Sequence, residues 1–173
     1  IDAGVNTSEP ALKGANITDK SRCTVETNAE GTRHATEMAT ILVSPYTGVA
    51  PDATLYSYQS TNSGTESGGT CAATGAELNS TGALINQAVE DGAQIISISQ
   101  SDSDSSNELK WAIANAVSRG VIIVASVGNN AKDENSRHLS RWSGVVGVSA
   151  INSDGTFASY SSWGNGVVTA AIG

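Results

Sequence analysis

Apolar residues recur with helical spacing in three separate stretches of this chain, and two of those stretches run straight into a strand-like apolar segment. In the first, Gly31–Leu42 (GTRHATEMATIL), the apolar positions are Ala35, Met38, Ala39 and Leu42, the i, i+3, i+4, i+7 spacing of one buried helical face. That spacing predicts a helix with His34 in its first turn and Thr32 available as a cap. Ser80–Asp91 follows the same rule with Leu84, Ile85, Ala88 and Val89 on one side, Gly92 just past its end and the strand Gln94–Ser99 next. Asn107–Arg119 repeats the unit: Leu109, Ala112, Ile113, Ala116 and Val117 share a face, Gly120 stops the helix, and the continuous apolar run Val121–Val127 follows. Runs without alternation indicate strands buried on both faces, and helices alternating with them imply right-handed βαβ units around a parallel sheet. Ala53–Gln59, Val145–Ile151 and a short Val167–Ala171 complete the predicted strands. The fold class is α/β: a doubly wound, mainly parallel sheet with helices on both faces, in one domain over residues 1–173.

The connecting stretches are polar. Asn6–Glu30 reads as a turn-rich surface excursion, Tyr46–Asp52 (YTGVAPD) as a turn, and Ser60–Thr74 as a Ser/Gly/Thr-rich loop without apolar period. Ile1–Val5 (IDAGV) reads as the end of a strand whose beginning lies outside the sequence. An aspartate at the carboxyl end of a strand, followed by glycine, stands where parallel α/β sheets place functional groups.

Composition narrows the classes. With 39% hydrophobic and 15% charged residues the chain can bury a core, and no apolar run reaches the roughly 18 residues that a membrane helix needs. The net charge of −8, without any Lys/Arg cluster, argues against nucleic acid as a partner. No strand is followed by G-x-G-x-x-G, and no glycine loop ends in Lys followed by Ser or Thr, so neither dinucleotide nor P-loop binding is indicated. The acidic, Ser/Thr/Gly-rich character suits an extracellular, secreted protein. Cys23 and Cys71 have no metal-site spacing and lie in loop-like sequence, which favours a disulfide over two free thiols. Asp102 and Asp104, just ahead of the helix Asn107–Arg119, suit its dipole better than a metal ion. Asn16-Ile17-Thr18 and Asn79-Ser80-Thr81 match the glycosylation acceptor pattern.

His34 is the residue on which the chemistry turns. At a helix N-terminus the partial positive charge disfavours imidazolium and keeps the ring able to accept a proton. A histidine satisfied by backbone groups in a helix cap is the alternative.

Taken in order, IDAG at Ile1–Gly4, HATEMA at His34–Ala39, GVAPDATL at Gly48–Leu55, IISIS at Ile95–Ser99, GVIIVASVGNN at Gly120–Asn130 and FASYSSWG at Phe157–Gly164 resemble the subtilisin-like serine proteases over nearly the full chain. The resemblance implies a serine endopeptidase acting on peptide or protein substrates. It casts Asp2 as the triad aspartate, His34 as the general base and Asn129 as the oxyanion-hole asparagine. Ser99-Gln100-Ser101 and Ser126-Val127-Gly128 match the two backbone segments that line the pocket for the residue before the scissile bond, where substrate is bound as an added strand. The resemblance calls for no cofactor; structural calcium is compatible with it, but no residue here is assigned to a calcium site.

Two positions and one missing motif depart from the family pattern. Ala35 and Thr40 stand where the family usually has glycine, which changes the close packing beside the histidine. No Gly-Thr-Ser-Met-Ala is present: Val168–Gly173 looks like the segment ahead of the nucleophile motif, and Ser161 and Ser162 match a structural turn instead. The expectation is that the nucleophile lies on a complementary C-terminal segment, and that this chain alone does not hydrolyse peptides. The alternative is a non-catalytic subtilase framework used for binding or assembly.

Overall fold

The helix around His34 shows how local hydrogen bonding sets an element's start. In the computed structural model, which describes residues 1–60, 69–71, 78–100, 102, 105–135 and 139–173, this helix, α1, runs Ala29–Val43 and is capped by Asn28. The Asn28 side chain accepts the Gly31 N–H at 2.8 Å, satisfying one of the donors that a helix start leaves over. Thr32 is therefore inside the helix and not its cap, its N–H donating to the Asn28 carbonyl at 3.1 Å. His34 stands in the second turn, where the dipole field has largely faded. The buried face is Gly31, Ala35, Thr36, Ala39 and Val43, rotated from the expected one; Met38 and Leu42 are half-buried. Thr36 tolerates burial because its hydroxyl donates to the Thr32 carbonyl at 2.6 Å and accepts the Asn6 N–H at 3.0 Å.

The chain forms two compact units, Ile1–Ser80 and Thr81–Gly173. In the first, β1 (Ile17–Asp19) pairs in parallel with β2 (Leu55–Ser57), in the register Ile17↔Leu55 to Asp19↔Ser57. β1 lies inside the stretch expected to be irregular, and three residues are too few to show a period. Leu12, Ala39 and Val43 form a buried cluster with Val5, Ala15, Ile17, Leu42 and Leu55 packed around it. The expected strand Ala53–Gln59 narrows to β2, but Gln59 makes an isolated parallel bridge to Asp2. Cys23 and Cys71 are joined by a disulfide with a Cα–Cα distance of 5.0 Å, buried with Val25 against Leu78. Most of the Ser60–Thr74 stretch lies outside the described residues.

The second unit contains α2 (Thr81–Glu90), β3 (Ile95–Ile98), α3 (Asn107–Ser118), β4 (Ile122–Ser126), β5 (Val145–Ile151) and β6 (Val167–Ile172). Its four strands are all parallel, in the order β3-β4-β5-β6, giving the expected α/β architecture. The repeated helix–glycine–strand unit has one physical cause. Gly92 and Gly120 take φ of 85° and 77°, and in each case the next N–H reaches back five residues: Ala93 to the Ala88 carbonyl at 2.9 Å, Val121 to the Ala116 carbonyl at 3.0 Å. This glycine cap closes both helices and turns the chain into its strand. At its start α3 is capped by Ser106, which accepts the Leu109 N–H at 3.1 Å. The acid in its first turn is Glu108; Asp102 is buried upstream of the cap, and Asp104 lies outside the described residues.

The apolar runs of β3 and β4 alternate in burial instead of being covered on both faces. Ile96, Ile98, Ile123 and Ala125 are buried, whereas Ile95 and Ile122, partners in the register, are 63% and 51% exposed. Val117, expected on the buried face of α3, is exposed as well.

Candidate active site

Asp2 is held by backbone on both sides. Its N–H donates to the Tyr58 carbonyl at 3.1 Å, and its carbonyl accepts the Ser60 N–H at 2.8 Å, so the residue pairs alongside the chain just past the carboxyl end of β2. Its side chain is nearly buried, with Oδ1 accepting the Ala3 N–H at 2.7 Å and lying 3.1 Å from His34 Nδ1. An ionised carboxylate can only accept, so against it Nδ1 carries the hydrogen, and in the neutral ring that tautomer leaves the Nε2 lone pair free. The His34 side chain is 42% exposed against 11% for Asp2. The pair thus has a buried anchoring end and an accessible reactive end.

Gln59 supports this corner, and sequence reasoning did not single it out. Its Oε1 accepts the Val25 N–H at 3.0 Å, its Nε2 donates to Asp19 at 3.0 Å, and its N–H donates to the Ser21 hydroxyl at 2.9 Å. The available signal was a glutamine at the end of a predicted strand, which is too common a feature to be informative. The departures beside the histidine are accommodated locally. Ala35 is buried on α1, Thr40 donates its hydroxyl to the Thr36 carbonyl at 2.8 Å, and Glu37 pairs outward with Arg33 at 2.7 Å.

The remaining candidates lie in the second unit, at the carboxyl edge of its sheet, where parallel α/β proteins bind ligands. β3 and β4 pair as far as Ile98↔Ala125, which brings Ser99 and Gln100 beside Ser126, Val127 and Gly128. Gln100 and Val127 are buried, and Ser99 and Ser126 are half-buried. Ser101 lies outside the described residues. Asn129 follows in a bend and is exposed. Gly128 before it has φ of 97°, and Ala131 after it has φ of 49°. Among the described residues no three His, Cys, Asp or Glu side chains are grouped to hold a metal ion, and no helix is long and apolar enough to cross a membrane.

Comparison with known proteins identifies the family and the fold. The model of the subtilase family matches residues 1–173. Subtilisin DY of Bacillus licheniformis is 27% identical over 171 residues, covering 95% of this chain and 59% of the relative. The major intracellular serine protease of Bacillus subtilis (strain 168) is 31% identical over 166 residues, covering 88% and 50%. The chain thus spans about half the length of the relatives it matches. Among solved structures, the prenylagaramide maturation protease PagA superposes with a TM-score of 0.75 at 23% identity, covering 99% of this chain and 60% of that one. The psychrophilic subtilisin-like protease Apa1 from the Antarctic psychrotroph Pseudoalteromonas sp. AS-11 gives 0.76 at 22%, covering 99% and 40%. At these identities the structural likeness establishes the fold.

Proposed function

The chain belongs to the subtilase family, and from that premise we propose that residues 1–173 are the larger part of one catalytic domain of a secreted serine endopeptidase whose nucleophile lies on a complementary C-terminal segment. The observation that carries this reading is the 3.1 Å contact between His34 Nδ1 and Asp2 Oδ1. With Nδ1–H donated to the carboxylate, Nε2 accepts the proton of the attacking serine hydroxyl and later returns it to the leaving amine. Asp2 stabilises the imidazolium formed in between. Asn129 donates its side-chain N–H to the developing oxyanion. Ser99–Ser101 and Ser126–Gly128 hold the substrate backbone as an added strand. Secretion is supported by the Cys23–Cys71 disulfide, since such bonds persist in oxidising compartments.

On this reading the chain alone does not hydrolyse peptides, because none of its serines is the nucleophile partner of His34. Without one triad member, residual catalysis of about 1,000- to 10,000-fold over water is too slow to appear as digestion. The test incubates the chain with a chromogenic peptide and a serine-directed phosphonate, with and without the downstream segment of the same protein added in trans. Turnover and labelling that appear only with the segment, and vanish with His34→Ala, are expected. Activity of the chain alone would overturn the division of the triad, and inactivity of the assembled pair would favour a non-catalytic framework.

A further inference from the structure

Asn129 is exposed, so its orientation is inherited from the backbone on either side, and that backbone is strained. Gly128 and Ala131 both adopt positive φ, and the second is costly for a residue with a Cβ. A conformation of this kind persists only when its surroundings over-determine it. Here one buried residue touches both neighbours of Asn129. Ser162 is fully buried; its N–H donates to the Gly128 carbonyl at 2.8 Å, and its Oγ accepts the Asn130 N–H at 3.1 Å. Ser162 is itself tied to the sheet. Its carbonyl accepts the Ser161 hydroxyl at 3.1 Å, and Ser161 Oγ accepts the Ala150 N–H of β5 at 3.0 Å. The Ala131 N–H adds a bond to the Tyr160 carbonyl at 2.9 Å.

We propose that Ser162 is the positioning residue for Asn129: through its N–H and hydroxyl it clamps residues 128 and 130, and so aims the Asn129 amide at the oxyanion. Serine is suited to this because one compact side chain supplies the acceptor while its own backbone supplies the donor. Alanine keeps the second bond and loses the first, leaving the Asn130 N–H without its partner and the bend free to swing. A misaimed donor is lost mainly where charge develops, in the transition state.

The inference rests on the endopeptidase reading, so its test has one arm that needs no activity. In the first arm, amide hydrogen exchange is followed in the chain; Ser162→Ala is expected to speed exchange at Asn130 and Ala131 about tenfold or more while α2 and α3 amides keep their rates. In the second arm, the complete protein carrying the nucleophile segment is assayed as a double-mutant cycle. Ser162→Ala is expected to lower kcat about 10- to 100-fold with KM nearly unchanged, and to cost less than about threefold more once Asn129→Ala is present. Should Ser162→Ala melt below the assay temperature, Ser162→Cys, which fills the site with a slightly larger side chain and weakens the acceptor, carries the same cycle. Unchanged Asn130 exchange, or losses that multiply fully in the double variant, would overturn the proposal. A complete wild-type protein without activity would sink the endopeptidase reading instead, and the clamp would then be judged on exchange alone.

Discussion

At Ala131 the backbone sits at φ 49°, where an L-residue pays about 1–2 kcal/mol and glycine pays no steric cost. Glycine loses roughly 0.5–1 kcal/mol of this advantage through its extra freedom in the unfolded chain. Ala131→Gly is therefore expected to stabilise by up to about 1 kcal/mol, read as a small rise in the thermal midpoint; a fall would show that the Cβ makes a contact worth more than the strain. Asn129 invites the opposite experiment. It is exposed beyond the end of β4, so in the complete enzyme Asn129→Ala should lower kcat about 100- to 1,000-fold with the thermal midpoint nearly unchanged. A large loss of stability with intact turnover would make it a structural residue. Asp2, His34 and Asn129 were legible as candidates because acid, base and amide side chains stand in family order beside strand and helix signals. Ser162 and Gln59 were not, because hydrogen bonding to a distant backbone leaves no pattern in neighbouring residues.

Among the elements, α2, α3 and the strands after them were readable since periodicity and a following glycine act within a few residues. The start of α1 was not, because the apolar period begins only at Ala35 whereas Asn28 caps the helix seven residues earlier. β1 escaped for a related reason, as three residues gain strand character only by pairing with β2. The disulfide is the covalent counterpart of such pairing. It closes a separation of 48 residues and is flanked by the Thr24 N–H to Thr70 hydroxyl bond at 2.8 Å and the Cys71 N–H to Thr24 carbonyl bond at 3.0 Å. Replacing Cys23 and Cys71 together by serine should cost about 2–4 kcal/mol, seen as a lower denaturation midpoint; an unshifted midpoint would mean that the backbone bonds alone hold this corner.

At the scale of the whole sheet, β6 is the edge strand of the second unit among the described residues, and its residues from Val168 to Ile172 are all exposed. Val168 and Ile172 are 66% and 71% exposed, and an apolar edge strand is a template for further pairing. The chain on its own is expected to bind a hydrophobic dye and to self-associate at high concentration, and the C-terminal segment proposed above should suppress both. A dye signal unaffected by the segment would show that the segment covers some other surface.

By itself the sequence determined the helix and strand units from α2 to β6, the glycine stops, the family motifs and which residues are the candidate acid, base and amide, since each is carried by residues a few positions apart. Tertiary structure alone decided which carboxylate oxygen meets which imidazole nitrogen, that Gln59 and Ser162 hold the candidate site's backbone, and that the β3 and β4 runs are covered on one face only. Those outcomes depend on side chains that bond to groups as far as 40 residues away, as in the Gln59–Asp19 bond, and no local propensity encodes a partner at that distance.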